Sequence, residues 1–343
     1  MLIKEKKLQY FYHLIFMENN DKQIIQEILR KNNLSVSENI TRFTSGQINR
    51  VYNINGKYVL KIEGDIEIKK GLFKHQPEIT ERLLYAGVKV PKIIDYGKVD
   101  GKEYLLMEKV KGTNLSYEWL KFDDSQRENF LIQLADQLQK IHSIKFGDYA
   151  LPMCRKKRFS NFNDAIRNSI QFEKIDKTKL SNNLRESIEY LDKFYEKNIS
   201  LINNNEESVL IHNDIHFENI FFAGDKITGI IDWDWACQAP RDYELWKIVD
   251  YFYEPADYVE EGLESVYSQY VPKNEIKILR ENYPKLFEAS DLCEKIRLYL
   301  LENIIGLVSD TQAGIWSNNV LDKVERKIEV IYKNDWLEKF LLR

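Results

Sequence analysis

This 343-residue chain is poor in cysteine, with Cys154, Cys237 and Cys293 far apart, so neither a close C-x-x-C metal site nor a disulfide framework is available. A reducing cytoplasm is the expectation that follows. There is no basic excess either, since Lys and Arg total 50 against 54 Asp and Glu for a net charge of -4. That balance gives a nucleic-acid partner no support. No apolar run approaches membrane-spanning length. The nearest case, Leu8 to Met17 behind Lys4, Lys6 and Lys7, contains Gln9 and His13 and runs into Glu18 and Asp21 without a small-residue cleavage site. It reads as an amphipathic helix rather than a signal peptide. Internal repeats and low-complexity segments are missing as well, which excludes solenoid and linker-like architectures.

What remains is an ordinary globular composition, 43% apolar and 30% charged, long enough to bury a sizeable core in two lobes. Residues 1–39 read as a helical extension, with Ile24, Ile25, Ile28 and Leu29 at helical spacing. From Ile40 the pattern becomes strands: ITRFTSG, RVYNI, an Asn55-Gly56 turn, then YVLKIEG. A helix carrying Glu78 and Glu81 follows and ends near Gly87, and Lys92 to Gly97 and Lys102 to Met107 form a further strand pair. Gly112 loosens the chain where a connection between lobes would fall. Thereafter the spacing is mostly helical, including a long helix capped by Asp124 or Ser125 and running through His142, with Phe130, Leu131, Leu134, Leu138 and Ile141 on its buried face. The fold expected is α+β: a five-stranded antiparallel sheet with a helix over residues 40–108, then a mainly helical lobe over residues 109–343.

The densest polar signal is VLIHNDIHFENIFFAGDKITGIIDWDW, residues 209–235. It reads as strand, polar loop, strand, Gly224-Asp225 turn and strand, ending in Asp232. If the two later strands form a hairpin, Asn219 and Asp232 reach the same open end near Asp214, and such oxygen donors suit a hard cation such as magnesium. His216 reads as an exposed loop histidine without a role. Elsewhere Lys61 lies between Leu60 and Ile62, as a solvated edge lysine or as a cation aimed at phosphate; the second reading needs a carboxylate partner, Glu78 first and Glu81 second. Ser45 and Gly46, in the first turn, would let backbone N–H groups approach a phosphate. The basic run Arg155 to Arg158 reads as a solvated face.

Phosphoryl transfer accounts for these features together. It needs cations against spreading phosphate charge, a metal on oxygen ligands, and a carboxylate to orient the attacking hydroxyl. The order lysine, glutamate, H-x-D-x-x-x-x-N, aspartate resembles the kinase arrangement. With HNDIHFEN in place of H-R-D-L and IIDWDWA in place of D-F-G, the chain is most similar to the aminoglycoside phosphotransferase and choline kinase superfamily, over roughly residues 40–250. That resemblance implies a two-lobed protein-kinase-like fold with Asp214 as catalytic base and Asn219 and Asp232 as Mg2+ ligands. It makes Lys61 the phosphate-binding cation, oriented by Glu78, and His212 a brace for the loop. Asp242 in PRDYELW would be the family's structural aspartate. In LLMEKVKG, Met107 would line the base pocket and the backbone of Glu108 and Val110 would meet the base. Ser45-Gly46 replaces a glycine-rich phosphate loop, and Asp234 stands where protein kinases have glycine.

The implied activity is Mg2+-dependent transfer of the γ-phosphate of ATP or GTP to a hydroxyl of a small molecule, foremost an aminoglycoside. The acidic residues Glu254, Asp257, Glu260, Glu261 and Glu264 would suit a cationic acceptor. The alternatives are a kinase for choline, another amino alcohol or a sugar, with Tyr251, Tyr253, Tyr258 and Trp235 as cage candidates, and a non-catalytic nucleotide-binding scaffold. Neither nucleic acid nor membrane is an expected partner, and the expected state is monomer or homodimer.

Overall fold

The computed structural model describes residues 21–35, 39–43, 49–65, 70–145, 161–202, 206–260 and 262–342. The chain divides into two compact units, one comprising the residues up to Glu81 with Pro91–Val110, the other Arg82–Val90 with Lys111–Arg343.

In the first unit, residues 21–31 form helix α1. Strands β1 (Ile40–Arg42), β2 (Arg50–Ile54), β3 (Tyr58–Ile62), β4 (Ile93–Val99) and β5 (Lys102–Glu108) make one antiparallel sheet in the order β1-β2-β3-β5-β4. Its hairpin at Asn55 and Gly56 holds both residues at positive φ, 57° and 68°, as an Asn-Gly turn between twisted strands requires. Strand alternation divides the apolar residues between two faces. On one, Leu60, Ile62, Tyr104 and Leu106 pack with Ile24, Ile25, Ile28 and Leu29 of α1. The helix is also pinned by polar contacts: Arg50 Nε lies 2.9 Å from Asp21, and Tyr52 donates its hydroxyl to the same carboxylate. On the other face, Leu105 and Met107 pack with Leu72 and Phe73 and with Val59 and Ile93 at the margin. Helix α2 (Gln76–Tyr85) begins in this unit and ends in the second.

The second unit opens with β6 (Thr113–Asn114) and helices α3 (Asp124–Ile141), α4 (Phe162–Ser169) and α5 (Asn182–Asn198). Strand β7 (Ser208–Ile211) then pairs antiparallel with β10 (Cys237–Pro240), while β8 (Ile220–Ala223) and β9 (Lys226–Ile230) form a hairpin that β6 extends at the β8 edge. Helices α6 (Glu244–Tyr253), α7 (Glu264–Tyr267), α8 (Glu275–Asn282), α9 (Leu292–Gln312), α10 (Asn319–Tyr332) and α11 (Trp336–Leu342) complete it. The α3 face expected to be buried is buried, and Gln133 on the same helix takes the Ile227 N–H at 3.0 Å, tying α3 to the hairpin. The cap of α3 is Asp123, one residue before the expected position, because Asp123 and Gln126 form a reciprocal capping box.

Gly112 differs in kind from the expectation. It does not loosen the chain: at φ 95°, a Cβ there would lie 1.8 Å from the Phe222 carbonyl oxygen, so glycine is required for the close approach of this segment to β8. Among the described residues no helix is long and apolar enough to cross a membrane.

Candidate active site

In the first unit, β3 sets the position of Lys61. Its neighbours Leu60 and Ile62 go to the α1 face, so Lys61 shares the opposite face with Val59, opposite Leu105 and Met107 in the register of β5. It is 8% exposed, with Nζ 5.6 Å from the centroid of the Phe73 ring. This is a lysine on an apolar sheet face, not a solvated edge lysine. Glu78, in the first turn of α2, and Glu81, one turn on, are both on its exposed side. At the end of β5 Met107 is buried, the Glu108 N–H is taken by the Lys92 carbonyl at 2.9 Å, and Val110 closes the segment half-buried. Ser45 and Gly46 lie outside the described residues, as does Arg155 to Arg158.

In the second unit the loop after β7 is built from backbone donors upward. Asn213 sits at φ 63°, a left-handed conformation that asparagine tolerates, in a loop that turns two consecutive N–H groups toward one acceptor. The carboxylate of Glu244, fully buried at the start of α6, accepts both: His212 N–H at 2.7 Å and Asn213 N–H at 2.8 Å. The Asn213 side chain is fixed as well, accepting from the Trp246 indole at 2.7 Å. His212 has no exposure; its Nε2 donates to the Ile231 carbonyl at 2.8 Å and its Nδ1 accepts the Asp214 N–H at 3.2 Å. Burial holds its pKa below the ordinary value, in keeping with that single neutral tautomer. One buried imidazole therefore links the loop to the end of β9.

Asp214 projects from this braced turn with its side chain 15% exposed. Its Oδ1 is 2.8 Å from Lys247 Nζ; its Oδ2 is 3.3 Å from Asn219 Nδ2 and 3.6 Å from His216 Nε2. Burial alone would raise this carboxyl, but the Lys247 ammonium and then His216 outweigh it and hold the group well below the usual carboxylate range. Asn219 also donates Nδ2 to the Asp214 carbonyl at 2.9 Å, which assigns its amide and leaves its oxygen as the atom suited to a cation.

The hairpin register supplies the remaining member. Ile220 pairs with Ile230, and the Ile231 N–H donates to the Asn219 carbonyl at 2.9 Å, so Asn219 and Asp232 stand at the same open end. Asp232 is held at φ 64° and ψ 64°, a conformation costing on the order of 1–3 kcal/mol in a non-glycine residue. Asp234, two residues on, is 6% exposed in the short turn that follows. Among the described residues no group of three His, Cys, Asp or Glu could cage a metal alone. Two oxygen donors at a strand end are what magnesium shared with nucleotide phosphates needs.

Three features were absent from the sequence reading or differ from it. Glu244 braces the loop together with His212, while Asp242, expected as a structural aspartate, accepts the Tyr299 hydroxyl at 2.9 Å and lies 3.6 Å from Lys295, contacts with α9. His216 is not exposed: it is 9% accessible, with Nε2 3.0 Å from Asn219 Nδ2, and packs 5.2 Å from the Tyr258 ring. Lys247 was not singled out at all. One signal could have found it and Glu244: Glu244, Lys247 and Asp250 recur every three residues inside the apolar run ELWKIVDYFY, whose residues 244–252 are all buried. Charges on one stripe of a buried helix must have partners.

A five-stranded antiparallel unit followed by a mainly helical unit that carries this loop and hairpin defines the class of protein-kinase-like phosphotransferases. Residues 39–271 match the model of the phosphotransferase enzyme family, and the chain belongs to that family. Among solved structures it resembles a thermostable mutant of aminoglycoside phosphotransferase APH(4)-Ia in ternary complex with ADP and hygromycin B, at 14% identity, TM-score 0.64, covering 90% of this chain and 97% of that one. It also resembles aminoglycoside 2'-phosphotransferase-IIIa in its GDP complex, at 17% identity, TM-score 0.63, covering 90% and 98%. A subtelomeric hrmA-associated cluster protein of Aspergillus fumigatus is 34% identical over 64 residues, a segment spanning 18% of this chain and 13% of that protein. At these identities the structural likenesses establish the fold.

Proposed function

We propose that this protein transfers the γ-phosphate of ATP or GTP to a hydroxyl of a small molecule, with Mg2+ as cofactor and an aminoglycoside as acceptor. The observation that carries the reading is the Asp214 carboxylate, presented from a loop braced by Glu244 and His212, beside an Asn219–Asp232 pair aligned by hairpin register. Asp214 accepts a hydrogen bond from the acceptor hydroxyl and takes its proton as the new O–P bond forms and the bond to the nucleoside diphosphate breaks. A carboxylate held so far below its usual range is a weak base, which suits a loose transition state in which the proton moves late. Asn219 and Asp232 would hold magnesium, which when bound neutralises phosphate charge. Lys61, oriented by Glu78, meets phosphate oxygens; Met107 lines the base pocket, and the backbone of Glu108 and Val110 meets the base.

The carboxyl groups of Glu218 and Glu260 near Asp214 suit a cationic acceptor. Burial, then the charges of Glu260 and Asp214, pushes the Glu218 carboxyl up to about 7. Solved relatives of the same fold carry hygromycin B with ADP, and kanamycin with GDP. A quaternary-amine cage finds less support: Lys247 Nζ already lies 4.2 Å from the Tyr258 ring centroid, Tyr251 is buried against Phe217, and Tyr253 packs on Trp336.

The test is a nucleotide-consumption screen with ATP and GTP against hygromycin B, kanamycin, choline, ethanolamine and glucose. Release of nucleoside diphosphate with an aminoglycoside and Mg2+ is expected. Tight nucleotide binding with every acceptor inert would overturn the reading in favour of a scaffold. In the active case Asp214→Asn lowers turnover by roughly 10²- to 10⁴-fold and leaves nucleotide affinity in place.

A further inference from the structure

Helix α6 is buried from Glu244 to Phe252, a setting in which a lysine is costly unless its charge is answered. The nearest partners of Lys247 are Asp214 and Tyr258, with the Trp246 ring further off at 5.5 Å. Its Nζ lies 2.8 Å from Asp214 Oδ1, the two side chains 10% and 15% exposed, and 4.2 Å from the centroid of the Tyr258 ring. Asp250, three residues further along the same stripe, does not compete for it: that carboxylate pairs with Lys327 Nζ at 2.5 Å and accepts the Tyr258 hydroxyl. The chain of contacts is therefore ordered. Lys327 holds Asp250, Asp250 holds the Tyr258 ring, the ring seats Lys247, and Lys247 holds one oxygen of Asp214.

A carboxylate has two equivalent oxygens and turns easily about its last bond, whereas a reacting hydroxyl needs one oxygen within about 0.5 Å and 10–20° of the productive place. The ion pair breaks the equivalence. Asn219 and His216 approach Oδ2 only at 3.3 and 3.6 Å, so the short contact to Lys247 decides which oxygen is spent.

We propose that Lys247 is a positioning residue for phosphoryl transfer: its ammonium, seated on Tyr258, fixes the Asp214 carboxylate so that Oδ2 meets the acceptor hydroxyl. The proposal rests on the kinase reading above. Lys247 acts through Asp214, which predicts an effect on the chemical step rather than on nucleotide binding, and none where Asp214 cannot serve.

The experiment compares wild type, Lys247→Met, Lys247→Arg, Asp214→Asn and the Lys247→Met/Asp214→Asn double variant. Each is assayed with the best acceptor of the screen at saturating nucleotide, with nucleotide affinity by calorimetry and folding by circular dichroism. Lys247→Met is expected to lower kcat about 10- to 100-fold with nucleotide affinity unchanged. Lys247→Arg is expected to recover the larger part, and the double variant to be as slow as Asp214→Asn alone. Should Lys247→Met not fold, Tyr258→Leu takes its place, removing the seat and leaving the ion-paired atoms. A loss of kcat that multiplies with that of Asp214→Asn overturns the proposal, as does wild-type kcat in Lys247→Met beside an impaired Asp214→Asn. A wild type inert toward every acceptor, or an unimpaired Asp214→Asn, overturns the kinase reading and the proposal with it.

Discussion

Replacing Glu244 by glutamine tests the carboxylate that braces the loop, with Asp242, a structural aspartate of the same turn, as the comparison. The carboxylate accepts backbone N–H groups from His212 and Asn213 at 2.7 and 2.8 Å, and its Oε2 lies 3.3 Å from His142 Nε2. His142 has its pKa lowered by burial and takes the Tyr283 hydroxyl at Nδ1, so it presents Nε2–H to Glu244 as a third donor. Every neighbour is thus a donor, and a glutamine must turn its own NH2 toward one of them. One buried N–H then loses its acceptor, at a cost of roughly 2–3 kcal/mol. Thermal unfolding should show a fall of about 3–4 °C if the chain melts as one unit. The function should suffer more, because the Asp214 N–H bonds to His212 and moves with it; a displacement under 1 Å lowers turnover about 10- to 100-fold. Asp242→Asn is the control: it should destabilise through Tyr299 and Lys295 on α9 while turnover stays near wild type. Wild-type melting and turnover in Glu244→Gln, or a larger turnover loss in Asp242→Asn, would refute the assignment.

Glu302 is buried and accepts the Tyr243 hydroxyl at 2.6 Å; burial pushes its carboxyl up to about 7 against that bond and one from Ser169. Because the unfolded chain ionises this group first, near 4.5, its contribution is intact below that pH and lost as pH rises to about 7. Glu302→Gln should therefore gain stability over wild type between pH 5 and 8, by up to about 3 kcal/mol, in denaturant titrations at the two pH values; a pH-independent difference would count against it. Lys327→Met leaves Asp250 charged and buried, and chemical unfolding should show a loss of about 3–5 kcal/mol. Burial opposes the charge on both partners, yet their attraction lowers the Asp250 pKa and raises that of Lys327. The Asp250 share is thus present above about pH 4 and lost on acidification, and the Lys327 share is present below about 10.5 and lost in alkali; a flat response in the wild type would contradict the pairing. Gly112→Ala forces a Cβ onto the Phe222 carbonyl and should destabilise by more than the usual ~1 kcal/mol of a glycine replacement, measurable by melting; a neutral result would mean the segment does not pack on β8 as described.

The strands of the first unit were legible because each is a short β-prone run bounded by turn residues, and alternation alone put Lys61 on the face opposite Leu60 and Ile62. The loop and hairpin were legible for the same local reason: Asp214, Asn219 and Asp232 lie within 19 residues, and their relative places follow from one hairpin register. Asp123 was missed by one position although its spacing to Gln126 is that of a capping box and was legible in the sequence. His216 was misjudged because a loop histidine gives no sign of burial until Tyr258, more than forty residues later, is packed over it.

By itself the sequence determined the element types, the family and the residues whose chemistry suits phosphoryl transfer, since all of these are set by local periodicity, turn chemistry and motif spacing. It also determined that Glu244, Lys247 and Asp250 share one stripe of α6. Only the tertiary structure decided what that stripe meets: Glu244 the donors of the loop, Lys247 the Asp214 carboxylate, Asp250 the Tyr258–Lys327 pair. Period fixes which face of a helix is buried, but the partner of a buried charge is fixed by which distant segment packs against it, and the 29 residues between Asp214 and Glu244 carry no local record of that contact.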